Sequence, residues 1–176
     1  MLDRGCPWLA LAVVALAVPS GAAAQVEPAG AFTAHFAVSG PELSELSDLG
    51  GALMADATGE LGFFRIGGSI GVIGLTSDVE TRSRVSMPVT ATLGAVFRSG
   101  GAWFEGRFRG GFWAGATNQG LRLGAFFSTG VFAGYAIGQN VALGVGVDLW
   151  FALGHGDTIA VAPGITLAWV PWSEDF

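Results

Sequence analysis

Residues 85 to 114 alternate apolar and polar side chains for nearly their whole length, and this period of two constrains the fold more than any other feature of the chain. Val85, Met87, Val89, Ala91, Leu93, Ala95 and Phe97 fall on one face, with Ser86, Thr90, Thr92, Gly94 and Arg98 on the other. After Ser99-Gly100-Gly101 the pattern resumes, with Phe104, Gly106, Phe108, Gly110 and Phe112 opposed by Glu105, Arg107 and Arg109. Successive strand side chains point to opposite faces, so the spacing predicts a long hairpin closed by a glycine-rich turn. A sheet face in water normally carries many Lys, Glu and Asp. Here only 12% of the chain is charged and lysine is absent. The continuous, aromatic apolar face therefore reads as facing lipid, and the Gly, Ser, Thr and Arg face as lining a barrel.

The first residues stand outside that pattern. Met1 to Arg4 carries one basic residue, Trp8 to Val18 is apolar, and Pro19-Ser20-Gly21 breaks the run before Ala22 and Ala24. Small residues at those positions ahead of Gln25 predict a secretory signal peptide over 1–24. Asp3 weakens the basic start and leaves an uncleaved anchor as the alternative. The one cysteine, Cys6, lies upstream of the apolar run and leaves with it, so the mature chain has no disulfide. The formal charge of −6 argues against nucleic acid, whose phosphates require a basic face. Mean hydropathy is +0.56, yet beyond the signal no unbroken apolar stretch reaches the roughly 18 residues that a spanning helix needs. Only helices and closed barrels satisfy their backbone in lipid.

Alternation recurs along the chain. It begins at Ala31, with Phe32, Ala34, Phe36 and Val38 against Thr33, His35 and Ser39. It returns over about Gly51 to Leu61, with Asp56, Thr58 and Glu60 on one face. Phe64, Ile66, Ile70 and Val72 then oppose Arg65 and Ser69. Beyond the hairpin, Leu121, Leu123, Ala125 and Phe127 oppose Arg122, Gly124 and Ser128. Val141, Leu143, Val145, Val147, Leu149 and Phe151 oppose Gly144, Gly146, Asp148 and Trp150, and Ile159, Val161, Ile165, Leu167 and Trp169 close the series. The fold class predicted is all-β: a closed, eight-stranded, antiparallel up-and-down transmembrane barrel. Residues 25–30 form a short lead-in, 31–172 the barrel and 173–176 a C-terminal tail. Connections after odd-numbered strands are the more polar, and those after even-numbered strands are tight. This assigns the tight turns to the periplasm and the others to the outside. Phe63, Phe64, Phe97, Trp103, Phe104, Tyr135 and Trp169 fall at the periplasmic ends of the strands, and Phe112, Trp113, Trp150 and Phe151 at the outer ends. They are expected to form two aromatic girdles. A helical hairpin of Leu121–Ile137 and Val141–Leu153 is the alternative architecture.

On this pattern the chain resembles the small eight-stranded outer-membrane barrels of Gram-negative envelopes: the OmpA transmembrane domain, OmpX and the opacity-type proteins. The resemblance covers about Ala31 to Trp172. It implies residence in the cell outer membrane, contact with its lipid and lipopolysaccharide, and insertion by the barrel assembly machinery. That machinery reads a terminal aromatic residue, which Phe176 supplies. Glu174, at a position normally apolar, and Pro171 depart from the pattern.

The candidate site is the barrel interior. Asp56, Glu60, Arg65, Arg98, Glu105, Arg107, Arg109, Arg122 and Asp148 all fall on the inward face. An eight-stranded barrel leaves room for little beyond its side chains, and buried charge is tolerated only when paired. The set therefore predicts an internal salt-bridge network closing the barrel, as the resemblance also implies. The arginines could instead line a narrow, anion-favouring passage, giving a porin-like protein. His35 reads as a hydrogen-bonded filler residue, and His155 with Asp157 as a solvated turn. Nothing indicates a catalytic group, a cofactor site or a metal site. The outer connections hold Glu42, Glu45, Asp48, Asp78, Glu80 and Asp157 against Arg82 and Arg84, a solvated rim. A structural or surface-interaction role, without enzymatic activity, is the expected function. A small-solute pore is the alternative, and a lipid A-modifying enzyme comes third.

Overall fold

In a computed structural model, residues 26–46, 48–76, 85–117, 120–154 and 157–169 are described. The expected signal peptide, the C-terminal tail and His155 lie outside the described residues. The described chain forms eight strands: β1 (Glu27–Gly40), β2 (Asp48–Leu61), β3 (Phe64–Thr76), β4 (Val85–Ser99), β5 (Ala102–Thr117), β6 (Gly120–Ala136), β7 (Val141–Leu153) and β8 (Thr158–Trp169). Each pairs antiparallel with its neighbours in sequence, and β1 pairs with β8 to close the barrel. The two segments of the helical alternative are β6 and β7. β1 starts at Glu27, inside the expected lead-in, because Pro28, Ala29 and Gly30 carry too little side chain to display a period.

The turn between β4 and β5 shows why glycine stands there. Gly100 and Gly101 both take positive φ, at 55° and 86°, and Ser99 pairs with Ala102 across them. Two left-handed residues in succession match the twist of the flanking strands. Prolines mark the opposite effect. Pro88 pairs through to Trp113 of β5, but the β3–β4 ladder skips from Ile70–Val89 to Ile73–Ser86 beside it. Pro163 opposes Val147 of β7, while the β1–β8 ladder skips from His35–Gly164 to Val38–Val161. Each proline lacks the N–H its strand would donate, and pairing lapses on one side only.

The two surfaces are inverted relative to a soluble sheet. Phe32, Leu53, Ile66, Leu93, Phe104, Val131, Val145 and Ile165, one from every strand, point outward and are more than half exposed. Thr33, Met54, Arg65, Thr92, Arg109, Phe126, Asp148 and Thr166, again one from every strand, point inward and are at most 2% exposed. Burying a large apolar side chain stabilises by roughly 1.5–3 kcal/mol. In water this exterior would forgo that contribution at every strand; against hydrocarbon it would not.

Among the described residues, buried apolar side chains gather in two clusters, one toward each end. At the end that carries the tight turns, Trp103 and Phe132 pack with Ala31, Ala142 and Ala168. Toward the other end, Trp113, Phe126 and Trp150 pack with Ala37, Ala52, Ile73, Ala160 and Ala162. The girdle expectation is corrected on this point. Phe63, Phe64, Phe97, Phe104, Tyr135 and Trp169 do project outward at the turn end, and Phe112 projects outward at the loop end. Trp103, Trp113 and Trp150 instead point inward and are 1%, 3% and 3% exposed. The reason is parity: Trp103 and Trp113 share the face of Glu105, Arg107 and Arg109, and Trp150 that of Asp148.

Candidate functional site

The charged groups run through the lumen from Arg98, opposite Trp103 at the turn end, inward to Arg109, and register explains how they fit. Arg107 stands opposite Gly94 on β4 and Gly130 on β6, so a long guanidinium arm crosses the lumen over two neighbours without side chains. Arg109 stands between Thr92 and Ser128, and Asp148 between Gly130 and Ala162. At these three positions large ionic groups alternate with small residues around the wall, which suits a narrow interior.

Glu60 and Arg65 face each other across the β2–β3 ladder. Arg65 Nε donates to Glu60 Oε1 at 3.0 Å, its Nη2 donates to the same oxygen, and its Nη1 donates to Glu105 Oε2 at 2.7 Å. Arg98 Nη2 donates to Glu60 Oε2. Deeper in the barrel, Arg109 grips Asp56 with two parallel bonds, Nε to Oδ1 at 3.1 Å and Nη2 to Oδ2 at 2.9 Å. Its remaining nitrogen, Nη1, donates to Asp148 Oδ2 at 3.0 Å. This forked geometry is the strongest arrangement available to a guanidinium and a carboxylate.

Arg107 joins the two groups. Its Nη1 donates to Asp56 Oδ2 at 3.3 Å and lies 3.9 Å from Glu105 Oε1, and its Nη2 donates to Thr33 Oγ1 at 3.3 Å. Its guanidinium carbon sits 3.6 Å from the centre of the Phe132 ring, so the turn-end cluster also contributes a cation–π contact. Asp56, Glu60, Glu105 and Asp148 are thus balanced by Arg65, Arg98, Arg107 and Arg109, bridging β2, β3, β4, β5 and β7 across the lumen. Pairing of this kind offsets a desolvation cost that would otherwise be several kcal/mol per ion.

Arg122 differs from the other expected members. It points inward but stands opposite Gly115 near the loop end, half-buried. Six residues of strand, about 20 Å at 3.3 Å per residue, separate it from Ser128, the position opposite Arg109.

One participant escaped the sequence. His35, expected as a hydrogen-bonded filler residue, is 6% exposed and does hydrogen-bond, and it also reaches the charged layer. Its Nδ1 lies 3.1 Å from the Ala162 carbonyl, which can only accept, so Nδ1 carries a proton. Its Nε2 faces Asp148 Oδ2 at 3.4 Å, and its ring meets that of Trp150 in a T-shaped contact with centroids 5.1 Å apart. Alternation gave the inward direction of His35. Its partners on β7 and β8 depend on how the barrel closes, and no local pattern encodes that.

Among the described residues, no cluster of His, Cys, Asp and Glu is arranged to hold a metal ion. The carboxylates are occupied by guanidinium groups, and the arrangement fills and braces the lumen.

Comparison with known proteins bears on the fold. No family model matches the chain, and no curated protein sequence matches it. Among solved structures, the barrel is similar to Neisserial surface protein A, with a TM-score of 0.59, 14% identity, and coverage of 81% of this chain and 95% of that one. The likeness is one of fold. The attachment invasion locus protein Ail of Yersinia pestis also matches, with a TM-score of 0.44, 14% identity, and coverage of 81% of this chain and 98% of that one. The chain thus has the closed eight-stranded architecture of the small surface barrels that its alternation resembles.

Proposed function

We propose that this protein resides in the outer membrane as a sealed barrel with a structural or surface-interaction role, without enzymatic activity. The observation that carries the reading is the inversion of its two surfaces. Every strand turns apolar side chains outward, while four carboxylates and four guanidinium groups are paired inside. An exterior of that kind is at equilibrium only against hydrocarbon. The tight-turn end then faces the periplasm and carries the aromatic rim of Phe63, Phe64, Phe97, Phe104, Tyr135 and Trp169. The N-terminal segment directs export, and the acidic connections meet lipopolysaccharide and the medium. The named surface protein with the same fold supports placing this barrel at the cell surface.

Single-channel recording in planar bilayers tests the sealed interior. The wild-type protein is expected to be electrically silent. Arg107→Ala combined with Arg109→Ala should introduce measurable conductance, because those arms span the lumen at its middle. A wild-type barrel that already conducts would establish the small-solute pore instead. An unchanged, silent double variant would show that the ion-paired layer is not what closes the passage.

A further inference from the structure

Thr129 stands on the outward face of β6, between Phe108 of β5 and Leu149 of β7, in the same row as Leu93 near mid-strand. Among the described residues it is the one outward hydroxyl away from the strand ends, where the other outward positions are apolar or glycine. It also lines a groove of about 730 Å³ on the outer wall. Phe64 and Ile66 of β3, Leu93 of β4 and Phe108 of β5 rise beside that groove, with Val131 next to Thr129 on β6. Phe64, Ala95, Gly106 and Val131 are directly opposed on four adjacent strands, so Ala95 and Gly106 form the floor. A Cβ added to Gly106 would meet nothing within 4 Å, which leaves the floor open to whatever lies outside the barrel.

We propose that this groove is the contact surface of a homodimer, in which a second copy of the chain packs its own β6–β7 face into it around paired Thr129 hydroxyls. The inference rests on the hydrocarbon exterior argued under the proposed function. In lipid, two apolar surfaces gain nothing from leaving their solvent. Association comes instead from close approach over small residues and from hydrogen bonds between chains. A hydroxyl left without a partner in hydrocarbon is unfavourable. An acyl chain could fill the groove, but it has no group to bond Thr129 at mid-strand depth. A second Thr129 both donates and accepts. A two-fold axis along the membrane normal keeps every residue at its own depth, so residues beside the axis meet their own copies. The surface is also self-complementary about Thr129. The groove lies on its β3–β5 side, whereas its β7 side carries Val145 and Val147, outward and 62% and 38% exposed. The rotation turns the valine ridge of each copy toward the Ala95–Gly106 floor of the other.

The test is cysteine cross-linking of the folded barrel in phospholipid vesicles, in a Cys6→Ser background, with folding read from the heat-sensitive gel shift. Thr129→Cys should give a dimer band under conditions where Leu53→Cys, outward on β2 across the barrel, gives none. Gly106→Leu fills the floor without meeting any atom of its own barrel. It should cut cross-linking through Thr129→Cys severalfold while the gel shift persists. Thr129→Val keeps the shape and loses the hydroxyl, and should weaken energy transfer between labelled copies severalfold. A barrel that folds into vesicles and stays monomeric would overturn the dimer and leave the outer-membrane reading standing; one that enters no bilayer would remove both. Equal cross-linking through Leu53→Cys would show crowding and no specific surface. An undiminished dimer in Gly106→Leu would place the contact elsewhere on the wall. A monomer that retains phospholipid in native mass spectrometry, and loses it in Gly106→Leu, would give the groove to an acyl chain and overturn the proposal.

Discussion

Asp148 Oδ1 occupies the place that a Cβ on Gly130 would take, across the β6–β7 ladder. The carboxylate can therefore lie flat against β6 and turn its other oxygen to Arg109, 3.0 Å away. Gly130→Ala should displace Asp148 and strain this pair. Overpacking alone costs about 1–3 kcal/mol, and a buried ion pair broken on one side costs about 3–5 kcal/mol. Urea unfolding from lipid vesicles, followed by the heat-sensitive gel shift of the folded barrel, should show a loss of about 3 kcal/mol. A variant as stable as wild type would mean that Asp148 is not held there.

Arg109 and Arg98 predict a graded cost. The Arg109 side chain is fully buried and serves both Asp56 and Asp148, whereas the side chain of Arg98 is 12% exposed and bonds Glu60, which also keeps Arg65. Arg109→Ala should cost about 3–5 kcal/mol by leaving buried carboxylates uncompensated. Arg98→Ala should cost less than half as much in the same assay. Equal effects would argue against the pairing pattern.

The lipid-facing exterior gives a depth test. Leu93 lies outward near the middle of its strand, beside Phe108 and, one strand further, Thr129. Leu121 lies outward at the loop end of β6 and is 74% exposed. Leu93→Arg should destabilise the barrel by about 2–4 kcal/mol in a bilayer, and Leu121→Arg by about 0–1 kcal/mol. A neutral Leu93→Arg would contradict a hydrocarbon exterior.

The tryptophans separate girdle from interior. In variants that keep one tryptophan each, Trp169, outward and 48% exposed, should be quenched by brominated lipid. Trp103, Trp113 and Trp150, each at most 3% exposed, should be shielded from brominated lipid and from aqueous iodide alike. Strong lipid quenching of Trp113 or Trp150 would return them to the outer surface.

Much of the fold was legible because a strand reports its own orientation. Phe104, Glu105, Gly106 and Arg107 declare two faces without knowledge of any partner, and the same parity already placed Trp103 and Trp113 inside. Their position near strand ends suggests a girdle, but parity outweighs it: both are at most 3% exposed. The contribution of His35 was not legible, because its partners Ala162 and Asp148 are 127 and 113 residues away. Nor was the height of Arg122, opposite Gly115 toward the loop end, since alternation gives a direction and not a height.

Sequence alone determined that the chain makes strands, which side of each is apolar, and that ionic groups collect on the other side. These follow from the fixed two-residue period of the extended backbone and the low charge of the chain. Only the tertiary structure decided which arginine meets which carboxylate, and that His35 of β1 reaches Asp148 of β7. Those outcomes depend on the stagger between neighbouring strands and on β1 meeting β8, and a ring closes only when all eight registers are mutually compatible.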